Sequence, residues 1–145
     1  LLQILSRIQY IEKNADKRQA ILHFDLRLDN LIESRDEIYL IDWPNLCWGP
    51  ALFDIVHISA SLQDQTSFSA AQLCQIYQDV HHISYDPDDI LAVAASLSGY
   101  YGQNMYKKTP SAMPRLRVMQ KQIFTNLIAW LSEKSDISDL PGLKS

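Results

Sequence analysis

The spacing of apolar residues changes near Ala51, and that change limits the folds open to this chain. Between Ala20 and Ile41 they come in short runs, Ala20-Ile21-Leu22, Leu31-Ile32 and Ile38-Tyr39-Leu40-Ile41, separated by polar residues and a turn at Ser34 to Asp36. Such runs predict two or three short strands around a loop. From Ala51 onward the apolar residues recur every three or four positions, the signature of helices that bury one face. Phe53, Val56, His57 and Ala60 mark a helix over 51–62, with Pro50 suited to its first turn. A second helix is predicted over 70–81. A third follows the cap signal Asp86-Pro87-Asp88-Asp89 and runs to about Lys107. The fourth, over 115–134, carries Leu116, Met119, Ile123, Leu127, Trp130 and Leu131 on its stripe. Upstream, Leu1, Leu2, Ile4, Leu5, Ile8 and Ile11 predict a further amphipathic helix to about residue 18, and the last eleven residues read as a loose polar tail. With too few strands for a parallel sheet, the predicted class is α+β, mostly helical.

Bulk properties exclude several function classes. At 145 residues and 47% hydrophobic, the chain can bury one sizeable core, so one domain is expected. A formal charge of -4 offers no basic patch, which argues against a nucleic-acid partner. No apolar run reaches the roughly 18 residues of a membrane span and the N-terminal stretch lacks a signal peptide's pattern, so no membrane partner and a cytoplasmic location are expected. Cys47 and Cys74 lie 27 positions apart with no ligand spacing and are expected to be buried, reduced thiols.

One stretch carries chemistry. His23-Phe24-Asp25-Leu26-Arg27-Leu28-Asp29-Asn30, then Ile41-Asp42-Trp43 after a strand and turn, reads H-x-D-x-x-x-x-N followed by D. In a phosphoryl-transfer loop of this form the first Asp faces the acceptor hydroxyl, while the Asn and the later Asp supply oxygen to Mg²⁺. Hard Mg²⁺ takes one or two oxygens from protein and the rest from phosphate and water, which suits Asn30 and Asp42.

These residues resemble the aminoglycoside phosphotransferase family, also called the phosphotransferase enzyme family, whose members have a protein-kinase-like fold. The similarity extends through Asp42-Trp43-Pro44, Gly49-Pro50-Ala51-Leu52-Phe53-Asp54, Leu97-Ser98-Gly99-Tyr100-Tyr101 and Ile128-Ala129-Trp130-Leu131. It implies that Asp25 is the catalytic carboxylate and that Asn30 and Asp42 are the cofactor-binding and metal ligands. Arg27 would stabilise charge near the transferred phosphoryl group. His23 and Asp54 would be structural supports, Asp54 by hydrogen-bonding the catalytic loop. Phe24 stands where members usually have Gly, Leu28 where Pro is common, and Trp43 where protein kinases have Phe. The Asp-Trp form points to a small-molecule kinase.

The resemblance further implies Mg²⁺, ATP as co-substrate, and a small-molecule hydroxyl acceptor, aminoglycoside-like or a metabolite. Among four glycines there is no G-x-G-x-x-G, and no Lys sits in a strand context like V-A-I-K. The chain is therefore expected to be a C-terminal, catalytic-loop lobe whose N-terminal nucleotide lobe is a missing partner, so that the isolated chain would be inactive. Its start at Leu1, inside an amphipathic pattern, accords with a longer protein. The alternative is a kinase-derived binding or structural module without catalysis.

Other polar residues have structural readings. His57 is expected to be a hydrogen-bonded core histidine, His81 and His82 to lie at an exposed helix end, and Asp86, Asp88 and Asp89 to cap a helix rather than attract a cationic substrate. Tyr100, Tyr101, Met119 and Trp130 are expected in the core or a groove. Gly99 and Gly102 suggest close helix contact.

Overall fold

The computed structural model describes Ser6, Gln9, Tyr10, Lys13 and residues 19–134. Those first four residues are helical, but the apolar stripe expected over 1–18 lies outside the described residues, as does the polar tail. The described chain is α+β and mostly helical.

Strand β1 (Gln19–Leu22) leads into the loop over 23–30, which closes in a 3-10 turn (Leu28–Asn30). Strands β2 (Leu31–Ser34) and β3 (Glu37–Leu40) form an antiparallel hairpin, pairing Leu31 with Leu40 and Ser34 with Glu37. Arg35, in its two-residue loop, has φ 58°, the left-handed backbone that matches the twist of paired strands. Strand β4 (Cys47–Pro50) then returns along β1, pairing Leu22 with Cys47 and Gln19 with Pro50. The β1·β4 ladder thus closes the base of the segment that holds every chemistry-bearing position singled out above except Asp54.

Strand β4 is a correction to the expected two or three strands. Its sequence, Cys47-Trp48-Gly49-Pro50, carries two poor strand formers, and packing overrides them. A Cβ on Gly49 would lie 2.8 Å from Leu22 Cδ1, so a side chain there would have to push the buried Leu22 methyl aside. Pro50 ends this edge strand instead of starting the next helix, a second correction.

Helices α1 (Leu52–Leu62), α2 (Ala70–Val80), α3 (Pro87–Asn104) and α4 (Leu116–Lys134) make up the rest. Leu52, Ile55, Val56 and Ala60 of α1 meet Ala70 and Cys74 of α2, Val93 and Leu97 of α3, and Ile123, Leu127 and Trp130 of α4 in one core. Local sequence sets the boundaries. Ser69 and Gln72 form a reciprocal capping box at the start of α2. The Asp86 carboxylate accepts from Asp88 N at 2.9 Å, with Pro87 in the first turn of α3. Buried Asn126 of α4 donates to Ala60 O at 2.9 Å and to Asp64 Oδ2 at 2.7 Å, fixing the end of α1. Among the described residues, no helix is long and apolar enough to cross a membrane.

Three smaller expectations divide. Gly102 faces the Phe124 ring, which a Cβ would approach to 3.1 Å, whereas a Cβ on Gly99 would meet nothing within 4 Å. Cys74 is buried in the helical core but Cys47, on β4, is exposed. His81 and His82 are exposed at the end of α2, as expected.

Candidate active site

Two strand ends and one helix frame the loop over 23–30. Asp54, in the first turn of α1, turns back toward it. Its carboxylate accepts from His23 N at 2.6 Å and from Phe24 N at 2.9 Å, occupying both oxygens. Charge-assisted bonds of this kind are about twice as strong as neutral ones. They hold the loop where Phe24 adopts φ 59°. Left-handed backbone costs a residue with a Cβ about 1 kcal/mol or more, and a glycine nothing, which gives the preference for glycine here a steric cause.

His23 is buried and reaches across the loop, its Nε2 donating to Ile41 O at 2.8 Å. Its ring meets Trp43 edge-on with centroids 4.7 Å apart. Its Nδ1 is buried without a partner among the described residues. From the other side, Ile41 N donates to Asn30 O at 2.9 Å. Ile41 is thereby gripped by both ends of the loop, and Asp42 follows it at φ 62°, a conformation Asp tolerates better than most residues. The exposed Asp42 carboxylate takes no hydrogen bond or ion pair among the described residues.

Asp25 is half-buried at the centre. Burial pushes its carboxyl above the usual 3.8, opposed by the Arg27 guanidinium and by a hydrogen bond from Asn30. Arg27 is itself buried, with Nη2 3.2 Å from Asp25 Oδ2 and Nε 3.3 Å from Asp29 Oδ1. Asn30 Nδ2 donates to Asp25 O at 2.9 Å and Asp25 Oδ2 at 3.5 Å. The amide hydrogens are thus spent on Asp25, and the Asn30 oxygen takes no hydrogen bond among the described residues. The structure brings Asp25, Arg27 and Asn30 into direct contact, ties His23 and Asn30 to the residue before Asp42, and ties Asp54 to the loop.

Magnesium fits this donor set. Among the described residues no group of three or more His, Cys, Asp or Glu side chains is placed to hold a metal by itself. One amide oxygen and one free carboxylate are nevertheless the few hard donors that an ion also bound to phosphate and water needs.

Beside the loop lies a cavity of about 520 Å³ that sequence reasoning did not find. Phe24 and Phe53 stack at its wall with centroids 5.7 Å apart, and α3 contributes Ser96, Leu97, Tyr100 and Tyr101. The one signal for it is the four-residue repeat on α3, which puts Ser96 over Tyr100 and Leu97 over Tyr101. At its floor the Tyr101 hydroxyl and His57 Nε2 are hydrogen-bonded, so His57 is the paired core histidine that its spacing suggests. Burial, with the charges of Arg27 and His23, brings His57 down to about 4. Burial and the Asp25 charge push the Tyr101 phenol up.

Compared with known families, residues 1–88 match the phosphotransferase enzyme family. No curated protein and no solved structure matches the chain.

Proposed function

The chain belongs to the phosphotransferase enzyme family, and on that premise we propose that it is the catalytic-loop lobe of an ATP-dependent kinase for a small-molecule hydroxyl. The observation that carries the reading is the Asp25–Asn30 contact, which pairs the proposed proton acceptor with a residue whose amide oxygen is left for a metal.

In this reading Asp25 orients the acceptor hydroxyl and takes its proton as the oxygen–phosphorus bond forms and the bond from that phosphorus to ADP breaks. Burial lifts Asp25 toward the range where a carboxylate accepts a proton more readily. Arg27 holds Asp25 in place and offers positive charge where the phosphoryl group passes. Asn30 and Asp42 would hold Mg²⁺, which when bound neutralises charge on the nucleotide phosphates. His23 and Asp54 position the loop without touching substrate. An adjoining nucleotide lobe would cover the β region, where Ile38 and Trp48 are 72% and 70% exposed.

Asp25→Asn tests this in the full-length protein. It keeps size and hydrogen bonding but removes the proton acceptor, so kcat falls about 10²-fold or more while nucleotide affinity stays within a few-fold. Single-turnover phosphorylation and Mg·ATP titration give both quantities. Near-wild-type turnover removes Asp25 from the mechanism, and a large loss of Mg·ATP affinity moves it to the metal.

A further inference from the structure

We propose that the loop joining α3 to α4, together with the first turns of α4, is a docking surface for an anionic lipid bilayer. The inference rests on charge segregation, exposed apolar side chains and the geometry of this loop, none of which the phosphotransferase reading uses.

The formal charge of -4 averages over two unlike stretches. From Asp36 to Tyr106 there is no Lys or Arg, and from Ile90 to Ser132 there is no Asp or Glu. The second stretch holds Lys107, Lys108, Arg115, Arg117 and Lys121. The whole-chain charge thus conceals a local basic patch, a correction to what bulk properties imply.

The fold gathers these cations. Arg117 Nε donates to Lys107 O at 2.9 Å and Arg117 Nη2 to Lys108 O at 3.0 Å, which folds the loop back onto the start of α4. Its Nη1 donates to Gln120 Oε1 at 2.6 Å. Lys107, Lys108, Arg115 and Lys121 are exposed, and none of the five cations forms an ion pair among the described residues. Arg115, Arg117 and Lys121 also crowd the positive end of the α4 dipole, where the first turn holds no acid. That placement is unfavourable in water and favourable against bound anions.

The side chains standing among the cations identify the anion. Tyr106, Val118 and Met113 are 82%, 69% and 48% exposed. A nucleic acid would pair with the lysines and arginines and leave Met113 and Val118 in water. An anionic bilayer takes both kinds: headgroups meet the cations, the acyl boundary meets valine and methionine, and tyrosine suits the interface between them. The contact is peripheral, since no described helix is long and apolar enough to cross a membrane.

Cosedimentation of the full-length protein with phosphatidylcholine vesicles, with and without one third phosphatidylserine, tests this. Binding is expected to the anionic vesicles and should weaken as salt rises. Lys107→Gln/Lys108→Gln/Lys121→Gln should lower that affinity about tenfold or more, and Tyr106→Ser/Val118→Ser several-fold with every charge kept. All five substituted side chains are exposed, so the core does not depend on them. No binding to anionic vesicles, equal binding to pure phosphatidylcholine, or full affinity in the triple variant overturns the proposal. Full affinity in Tyr106→Ser/Val118→Ser, or tighter binding of mixed-sequence RNA than of the vesicles, assigns the face to a soluble polyanion and overturns it equally.

Discussion

In the β region over 19–50 the buried side chains are Leu22 and three polar ones, His23, Arg27 and Asn30, whereas the helical region over 52–134 buries a continuous set of aliphatic and aromatic groups. The β region also holds Phe24, Arg35 and Asp42, three of the four non-glycine residues at positive φ among the described residues. Four-residue strands with little apolar burial are not stable alone. Their shape comes from point contacts such as Asp54 to the loop backbone and His23 to Ile41. The helical region supplies stability, and the β region spends directional bonds on geometry. Its site should therefore be damaged by changes that leave the helical core folded.

The largest expected effect lies in the helical core, where the buried His57 makes stability depend on pH. His57 titrates near 4 in the folded chain and near 6.5 when unfolded, so the unfolded chain binds the extra proton between those values. Stability is then complete above 6.5 and falls as pH drops to 4, by about 3 kcal/mol over the window. Tyr101 is bonded to the same imidazole and stays a protonated phenol throughout this window, while the Arg27 and His23 charges act on it from the loop. His57→Gln keeps a polar partner for Tyr101 and cannot titrate. Urea midpoints at pH 7, 5.5 and 4 should fall less steeply in the variant, and parallel slopes would show that His57 is not the sensor.

Asp54→Ala sharpens the contrast between regions. It removes the acceptor of two loop N–H groups, a loss of about 2 kcal/mol. The loss should be local, since Asp54 tethers the loop and is no part of the buried core. Trp43 packs on His23, so its fluorescence reports the loop, while far-UV circular dichroism reports the helices. In the variant the Trp43 transition, with Trp48 and Trp130 replaced by Phe in both proteins, should precede the helical one. Coincident transitions would mean that both regions melt as one unit.

How far sequence carried divides along the same line. The helix spans were legible because periodicity and caps such as Ser69 and Asp86 are local signals. The Asp25–Asn30 contact was legible because the loop that joins them is short. Strand β4 was hidden, because Gly49 and Pro50 read as punctuation and only the Leu22 side chain explains the glycine. The cavity was hidden too, since Phe24, Phe53 and the α3 residues belong to separate segments. The exposure of Cys47 was hidden because it depends on the pairing of β4 with β1, which composition does not carry.

The smallest expected effect tests whether the β region holds strain. At Phe24, φ 59° costs about 1 kcal/mol for a residue with a Cβ, while the Phe24–Phe53 stack returns about 0.5–1.5 kcal/mol. Phe24→Gly relieves the first and loses the second, so its stability should stay close to wild type. Phe24→Ala loses the stack and keeps the strain, so it should fall below Phe24→Gly by about 1 kcal/mol. The order Gly above Ala reverses the usual ranking at an ordinary backbone position, where alanine restricts the unfolded chain and stabilises. Paired chemical denaturation of the two variants measures the difference directly. Alanine at or above glycine would mean that the loop relaxes to negative φ once the ring is gone, and that the Phe24–Phe53 stack, not the Asp54 tether, holds its conformation.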